Sequence, residues 1–295
     1  MDNEHLVQAI QRLAQTPSFS ATEWPGLLVG QIVEPRARTP VVYTPSICVV
    51  ARGRKLVYLG EQPFEYSPEN YLLVSLPLPI ESEIPEASKK EPVLAAVMKF
   101  DPALVGRLLA EIEEFMDWEP DRSPNPAVAP CKMTPKVRRA FVRLLEAAAD
   151  PMERRLLGPG LERELLFEVL RGPHGELLRS FVLRDGSAYR VSRVVNYLEA
   201  HYREPLDVQA IARQAGMSPS TLHTHFKRAT SLSPIQFIKR MRLHDARAQL
   251  LGGRSASETA YSVGYSSASQ FSREFRRMFG LPPSQVGEAL ARQAG

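Results

Sequence analysis

Residues 226–234 read FKRATSLSP, and residues 275–283 read FRRMFGLPP. Phe226 aligns with Phe275, Lys227 with Arg276, Arg228 with Arg277, Leu232 with Leu281 and Pro234 with Pro283, each at an offset of 49. Upstream of each Phe come a Gly, a Ser, and an apolar residue four positions before the Phe. These are Gly216, Ser218 and Leu222 in one copy, and Gly264, Ser267 and Phe271 in the other. A fixed-period repeat is one structural unit used twice. The unit here reads as helix, Gly turn, capped helix, which is a helix-turn-helix. Two such units in one polypeptide imply a chain that reads DNA without a second subunit supplying the second reader.

The local chemistry agrees. Gly216 and Gly264 stand at the turns, where positive φ is cheap only for Gly. Ala212 and Ala260 are small enough to let paired helices approach closely. Ser218-Pro219 sets a capping side chain before a Pro at the first helical position, and Ser255-Ala-Ser-Glu258 and Ser267-Ala-Ser-Gln270 read as capping boxes. Leu222, Phe226, Phe271 and Phe275 are spaced to pin each second helix inward. The outward face of the first then carries Ser220, His223, Thr224 and Lys227, and that of the second Ser269, Gln270, Ser272, Arg273 and Arg276. Arg273 suits guanine O6/N7 and Gln270 suits adenine. Ser218, Lys227, Arg228, Ser267, Arg276 and Arg277 suit phosphates, at helix N-termini or as cations. Lys239, Arg240 and Arg242, on a long helix over 235–251, add further positive charge.

Charge is divided along the chain. Residues 181–295 hold 16 Lys+Arg against 8 Asp+Glu, while the first 180 residues hold 21 against 25. The net +4 of the 295-residue chain therefore conceals a basic C-terminal third, the part expected to meet an anionic partner. Two cysteines, Cys48 and Cys131, give no disulfide framework and fit a reducing cytosol or one incidental pair. The N-terminus MDNEHLVQAI has no secretory pattern, and no run of 18 apolar residues occurs, so a cytoplasmic protein without a membrane span is expected. The motifs GxSxG, P-loop, HExxH, CxxC and the dinucleotide fingerprint are all missing, which argues against an enzyme and against a cofactor. An adaptor whose helical domain binds protein is the alternative function. Salt-independent behaviour towards DNA distinguishes it.

The N-terminal part has a different rhythm. A helix over 6–13 precedes short apolar runs at 27–33, 46–53, 55–60, 70–76 and 93–100, with prolines 77, 79, 85 and 92 in the breaks. This reads as a small barrel or sandwich over about 18–100. Helices follow from Asp101-Pro102, from Thr134-Pro135 and over about 160–170. Residues 119–132 read as a Pro-rich loop and residues 172–188 as a linker. The expected fold is thus α+β. Residues 1–171 form an effector-sensing domain, and residues 189–295 form an all-α domain with helix-turn-helix units at about 208–229 and 256–279.

The stretches IARQAGMSPSTLHTHFKRATSLSPIQFIKRMRLHDARAQLL and TAYSVGYSSASQFSREFRRMFGLPPSQ resemble the DNA-binding domain of the AraC/XylS transcriptional regulators, over about 190–290. The resemblance implies seven helices in two subdomains joined by the long helix, with recognition helices entering major-groove segments about 34 Å apart. It implies a bacterial regulator, most often an activator, with promoter DNA and RNA polymerase as partners. Base-contact positions of the family fall on Ser220, His223, Thr224, Ser269, Gln270 and Arg273. Two departures stand out: Ser231 replaces the usual Gly, and the first recognition helix carries His and Thr where some members have larger readers. YTPSICVVARGRK, NYLLVSLPLPIESEI and the helix after FDP resemble the sensory half of one AraC subgroup, which implies a cupin-like β-barrel that senses a small molecule. Cupin metals need His clusters. Only His5 and His174 precede residue 200, so no metal is expected.

Candidate effector residues on or beside strands are Tyr43, Cys48, Arg52, Tyr58, Tyr71 and Met98, each also explicable as packing. Cys48 reads either as a buried structural thiol or as an electrophile or redox sensor activated by Arg52, with Cys131 in the loop as the more accessible resolving thiol. Leu104/Leu108/Ile112 or Leu161/Leu165 read either as a homodimer seam or as packing against the barrel.

Overall fold

The structure is a computed structural model that describes residues 3–112, 115, 126–182 and 187–286. Helix α1 (Asn3–Leu13) leads into β1 (Phe19–Ala21), β2 (Leu27–Ile32), β3 (Arg36–Tyr43), β4 (Ser46–Arg52) and β5 (Lys55–Leu59). Then come β6 (Gln62–Tyr66), β7 (Asn70–Val74), β8 (Leu78–Ile84) and β9 (Val93–Lys99). Helix α2 (Pro102–Ile112), β10 (Val128–Lys132), α3 (Pro135–Ala148), α4 (Pro151–Arg171) and α5 (Gly175–Val182) complete this half. The second half is helical: α6 (Ser187–His201), α7 (Val208–Gln214), α8 (Pro219–Thr230), α9 (Pro234–Leu251), α10 (Ala256–Ser262) and α11 (Ala268–Phe279). A 3-10 turn at Pro283–Gln285 follows. No helix among the described residues is long and apolar enough to cross a membrane.

The strands make two antiparallel sheets that do not close on themselves. One has the order β1-β2-β9-β4-β7-β10 and the other β3-β8-β5-β6. Strand β4 shows why the N-terminal runs are unbroken apolar stretches. Successive side chains point to opposite faces. Ile47, Val49 and Ala51 enter a core shared with α1, α3 and α4, whereas Cys48 and Val50 enter the core between the sheets. Strands β7 and β9 divide in the same way, so the six-stranded sheet is buried on both sides and needs no polar positions.

The strands that sequence periodicity did not mark are β1, β3, β6, β8 and β10. Strand β3 is exposed along its first four residues, and β6 is largely exposed. Pro79 lies inside β8 rather than in a break, beyond the point where β5 pairs, so its missing N–H interrupts no β5 ladder. Strand β10 occupies part of the expected 119–132 loop, whose residues 119–125 lie outside the described residues. Helix α4 begins well before the expected 160 and runs through Gly158-Pro159-Gly160. A Cβ at Gly158 would sit 3.1 Å from the Trp24 indole, so a side chain there would press on that ring. The expected linker contains α5, whose Leu177 and Leu178 are buried; residues 183–186 of that stretch lie outside the described residues. Leu108, Leu161 and Leu165 are core residues, with Leu104 and Ile112 packed against the same core. Of the two readings of these residues, their burial favours internal packing.

In the helical half, α9 bridges two cores. Its Phe237, Ile238 and Met241 pack with Leu222 and Phe226, while Leu243, Ala246 and Leu250 pack with Phe271 and Phe275. Eighteen helical residues give a spacer of about 27 Å between the units. The first core is continuous with the core between the sheets. The backbone N–H of Ala127, beside β10, donates to the Ala229 carbonyl at 3.0 Å. That carbonyl belongs to the last turn of α8, where helix carbonyls have no partner in their own helix.

Candidate nucleic-acid interface

Each second helix of the repeat is set by its cap and its buried face. Ser218 caps α8 by accepting from Thr221 N at 3.1 Å, with Pro219 in the first turn. Ser267 caps α11 by accepting from Gln270 N at 3.3 Å. The expected capping box is complete at Ser255–Glu258 but half-made at Ser267, because the Gln270 side chain turns elsewhere. An additional complete box, Ser233–Gln236, starts α9. The turn glycines take φ +67° (Gly216) and +92° (Gly264), and at Gly264 a Cβ would lie 2.4 Å from the Arg203 carbonyl oxygen.

Leu222, Phe226, Phe271 and Phe275 are fully buried. Phe226 meets Phe237 edge-on at 5.5 Å, and Phe271, Phe275 and Phe279 form a column. With those faces fixed, Ser220, His223, Thr224, Lys227 and Arg228 of α8 are exposed, as are Ser269, Arg273, Arg276 and Arg277 of α11. Ser272 is half-buried. The cations Lys227, Arg228, Arg273, Arg276 and Arg277 form no ion pair among the described residues. The Thr224 hydroxyl donates to the Ser220 carbonyl at 3.0 Å, which leaves it an acceptor on the outer face.

Three sequence expectations change. Lys239 is not a free phosphate contact: its Nζ lies 2.7 Å from Glu274. Arg242 is structural, donating to the carbonyls of Tyr202, Gly264 and Glu204 at 2.6, 2.7 and 2.9 Å. Gln270 is half-buried, with Nε2 donating to Glu274 at 3.2 Å. Glu274 also accepts from the Tyr265 hydroxyl at 2.8 Å. Burial works against its charge, yet the donors Lys239, Gln270 and Tyr265 hold the carboxyl below the usual carboxylate range.

The expected effector residues do not converge. Tyr58 lies on the outer side of the four-stranded sheet, donating to Glu83 at 2.5 Å with the Arg38 guanidinium 3.9 Å over its ring. Tyr71 and Met98 face the helices, away from Cys48. Arg52 ends β4 and is half-buried. Cys131 is a buried strand residue rather than an accessible loop thiol, and it lies on the opposite face of the six-stranded sheet from Cys48. A Cys48–Cys131 pairing would need their strands to turn over. Burial pushes the Cys48 thiol up, against the Ser46 hydrogen bond and the charge of Lys55, not of Arg52. Burial likewise pushes Cys131 up to about 12.

What does lie beside Cys48 was not marked in the sequence: Ser46, Lys55 and Tyr66, which link onward to the expected candidate Tyr43 and through it to Ser82. The Lys55 ammonium is 3.5 Å from the Tyr43 hydroxyl, which is itself 3.5 Å from the Tyr66 hydroxyl and from Ser82 Oγ. The signal in the sequence was alternation in KLVYL, which turns Lys55, Val57 and Leu59 to the same side.

Comparison with known proteins matches both halves. Residues 23–177 match the family model described as AraC-type transcriptional regulator N-terminus, and residues 211–289 match a helix-turn-helix domain model. The transcriptional activator RhaS of Salmonella schwarzengrund is 33% identical over 152 residues, which are 50% of this chain and 52% of RhaS. The chain thus spans about half the length of the curated relatives it matches. Apo ToxT from Vibrio cholerae superposes with a TM-score of 0.58 at 11% identity, over 89% of this chain and 97% of ToxT. A second ToxT structure gives 0.55 at 10%, over 93% and 99%. At such identity the likeness is one of fold.

Proposed function

The chain belongs to the AraC-type transcriptional regulators, and from that premise we propose that it is a sequence-specific DNA-binding activator controlled by a small molecule held in its N-terminal domain. The observation that carries this reading is the doubled surface. Two capped helices, each pinned by a buried aromatic face, present hydrogen-bonding side chains and unpaired cations outward. The family is one of regulators rather than enzymes.

In this reading Ser220, His223 and Thr224 of α8, and Ser269, Gln270 and Arg273 of α11, contact base edges. One Nε2 hydrogen of Gln270 is held by Glu274, which leaves the amide oxygen and the second Nε2 hydrogen for a base edge and restrains the orientation of the amide. Ser218, Lys227, Arg228, Ser267, Arg276 and Arg277 contact phosphates and set register. The activator role, with RNA polymerase as partner, is supported by the named activity of RhaS. A noncovalent effector is favoured over an electrophile or redox signal, because both thiols are buried and pushed towards the protonated, unreactive form. A homodimer would have to use residues other than the core leucines; Met152, Leu156 and Leu157 on α4 are exposed.

Genome-wide binding of the full chain, with Arg273→Ala as control, tests the reading. Discrete promoter peaks that the variant loses are expected. A wild-type chain that binds DNA without site preference, or with no dependence on salt, would favour the protein-binding adaptor.

A further inference from the structure

Lys55 is only 4% exposed, yet no carboxylate lies within ion-pair distance of it among the described residues. Its neighbours are the Tyr43 hydroxyl at 3.5 Å and the faces of Phe19 and Tyr66, 4.7 and 5.5 Å from Nζ to the ring centroids. The carboxylates of the same sheet are committed elsewhere. Glu81 pairs with Arg38, and Glu83 accepts from Tyr58. Ser82, between them on β8, faces inward to Tyr43. The Cys48 thiol is no counterion either, since burial keeps it protonated.

A buried ammonium left without an anion costs several kcal/mol. It also carries three donors, of which Tyr43 takes one at long range. Hydroxyls of Tyr43, Tyr66 and Ser82 surround the same point and can donate as well. One cation, a few hydroxyl donors and aromatic walls fit a planar monoanion with two oxygens and an apolar body. They do not fit a phosphate dianion, which would want more cations. Phe19, Tyr43 and Ser82 are the part-exposed members of the cluster, and Phe19 sits on the three-residue edge strand β1. That corner is the side from which a ligand can enter.

The geometry points to a binding site for a small organic carboxylate between the two sheets, with Lys55 as the charge partner, Tyr43 and Ser82 as hydroxyl donors, and Phe19 and Tyr66 against the apolar body. This site deepens the reading that the N-terminal domain holds the effector, and it rests on that reading for its regulatory meaning. Ligand entry supplies the missing counterion, so the occupied sandwich is more stable than the empty one.

The test is thermal unfolding and calorimetric titration of the full chain without DNA. The probes are acetate, hexanoate and benzoate, with benzamide as the uncharged isostere of benzoate. Hexanoate or benzoate should raise the wild-type Tm more than acetate, and benzamide should not. Lys55→Met should have a ligand-free Tm equal to or above wild type and bind the carboxylate at least about tenfold more weakly. Tyr43→Phe keeps the ammonium and should weaken binding less, which preserves the test if Lys55→Met fails to fold. No shift in wild type with any carboxylate, an equal shift in Lys55→Met, or equal binding of benzamide each overturns the site. DNA binding measured on the same samples separates the two ideas. Loss of promoter binding with the carboxylate response intact would sink the regulator and leave the site standing.

Discussion

Ser231 and Gly280 occupy the same place in the two copies of the repeat, and both close a recognition helix in the left-handed region, at φ 56° and 78°. Ser231 is the one non-glycine with positive φ among the described residues. A side chain there costs about 1 kcal/mol relative to Gly. Ser231→Gly is therefore expected to stabilise the chain by about 1 kcal/mol, and Gly280→Ser to destabilise it by a similar amount. Urea unfolding reads both. A destabilised Ser231→Gly would mean that the contact of the Ser231 side chain with Gly60 outweighs the backbone strain.

Arg273 and Arg276 should fail differently on substitution. On the proposed reading Arg273→Ala removes a base-edge contact, and it should cost about 1–3 kcal/mol on the preferred site while relaxing preference at one position. On the same reading Arg276→Ala removes a phosphate contact, so it should weaken all sequences alike and lower the salt slope by about 1. Binding to a preferred and a scrambled duplex at several salt concentrations distinguishes them; identical profiles would reassign one of the two.

Glu274 joins α9 to α11 through Lys239 and restrains Gln270. Glu274→Gln should cost about 1 kcal/mol and, by freeing Gln270, change base preference at the position it reads. Because the folded carboxyl is held below its unfolded range, the contribution is present above that range and lost as acid protonates the folded form. Unchanged stability together with unchanged preference would show the tether to be idle.

His244, on α9 with its ring edge-on to Phe279 at 5.9 Å, is pushed down to about 4 by burial, with help from Arg247 and Arg240. Its Nε2 has no hydrogen-bond partner among the described residues. The unfolded chain takes up a proton near pH 6.5 that the folded one refuses until about 4. Stability is thus complete above pH 6.5 and falls by roughly 3 kcal/mol as pH drops through that window. Denaturant midpoints at pH 7 and 4.5 for wild type and His244→Leu check this. The variant should lose most of the difference, and an equal drop in both would place the acid sensitivity elsewhere.

Neither Cys48 nor Cys131 should react with iodoacetamide at neutral pH while the chain is folded, and mild oxidant should not join them. Mass spectrometry after brief exposure reads both outcomes. Labelling of Cys48 within minutes would restore the electrophile-sensor reading.

The helical half was legible because its signals are local. Ser218, Ser255 and Ser267 start helices, Gly216 and Gly264 turn them, and the Phe repeat names the buried face. Strands β4, β7 and β9 were legible as unbroken apolar runs because both faces of their sheet are buried. Strands β3 and β8 were not, since one side meets solvent and Pro40 and Pro79 lie within them. The Lys55 cluster was hidden for another reason. Tyr43, Lys55, Tyr66 and Ser82 come from four strands, and only register brings them together. Glu274 was passed over because a carboxylate on a basic helix reads as solvated, when its partner Lys239 comes from another helix.

The hydrogen bond from Ala127 to Ala229 has a consequence for which promoters the chain can use. The first reader is gripped at its last turn by the edge of one sheet, through Ala127, and by the β5–β6 turn of the other, through Gly60 against Ser231. The second reader is held by its own core at the far end of α9, and α11 also lies against β3 of the four-stranded sheet. A change in the separation of the sheets therefore acts on the two readers through different strands, altering their helical phase along the duplex. Occupancy of the sandwich would then be read out as tolerance for the number of base pairs between half-sites, with no change in the letters either half-site spells.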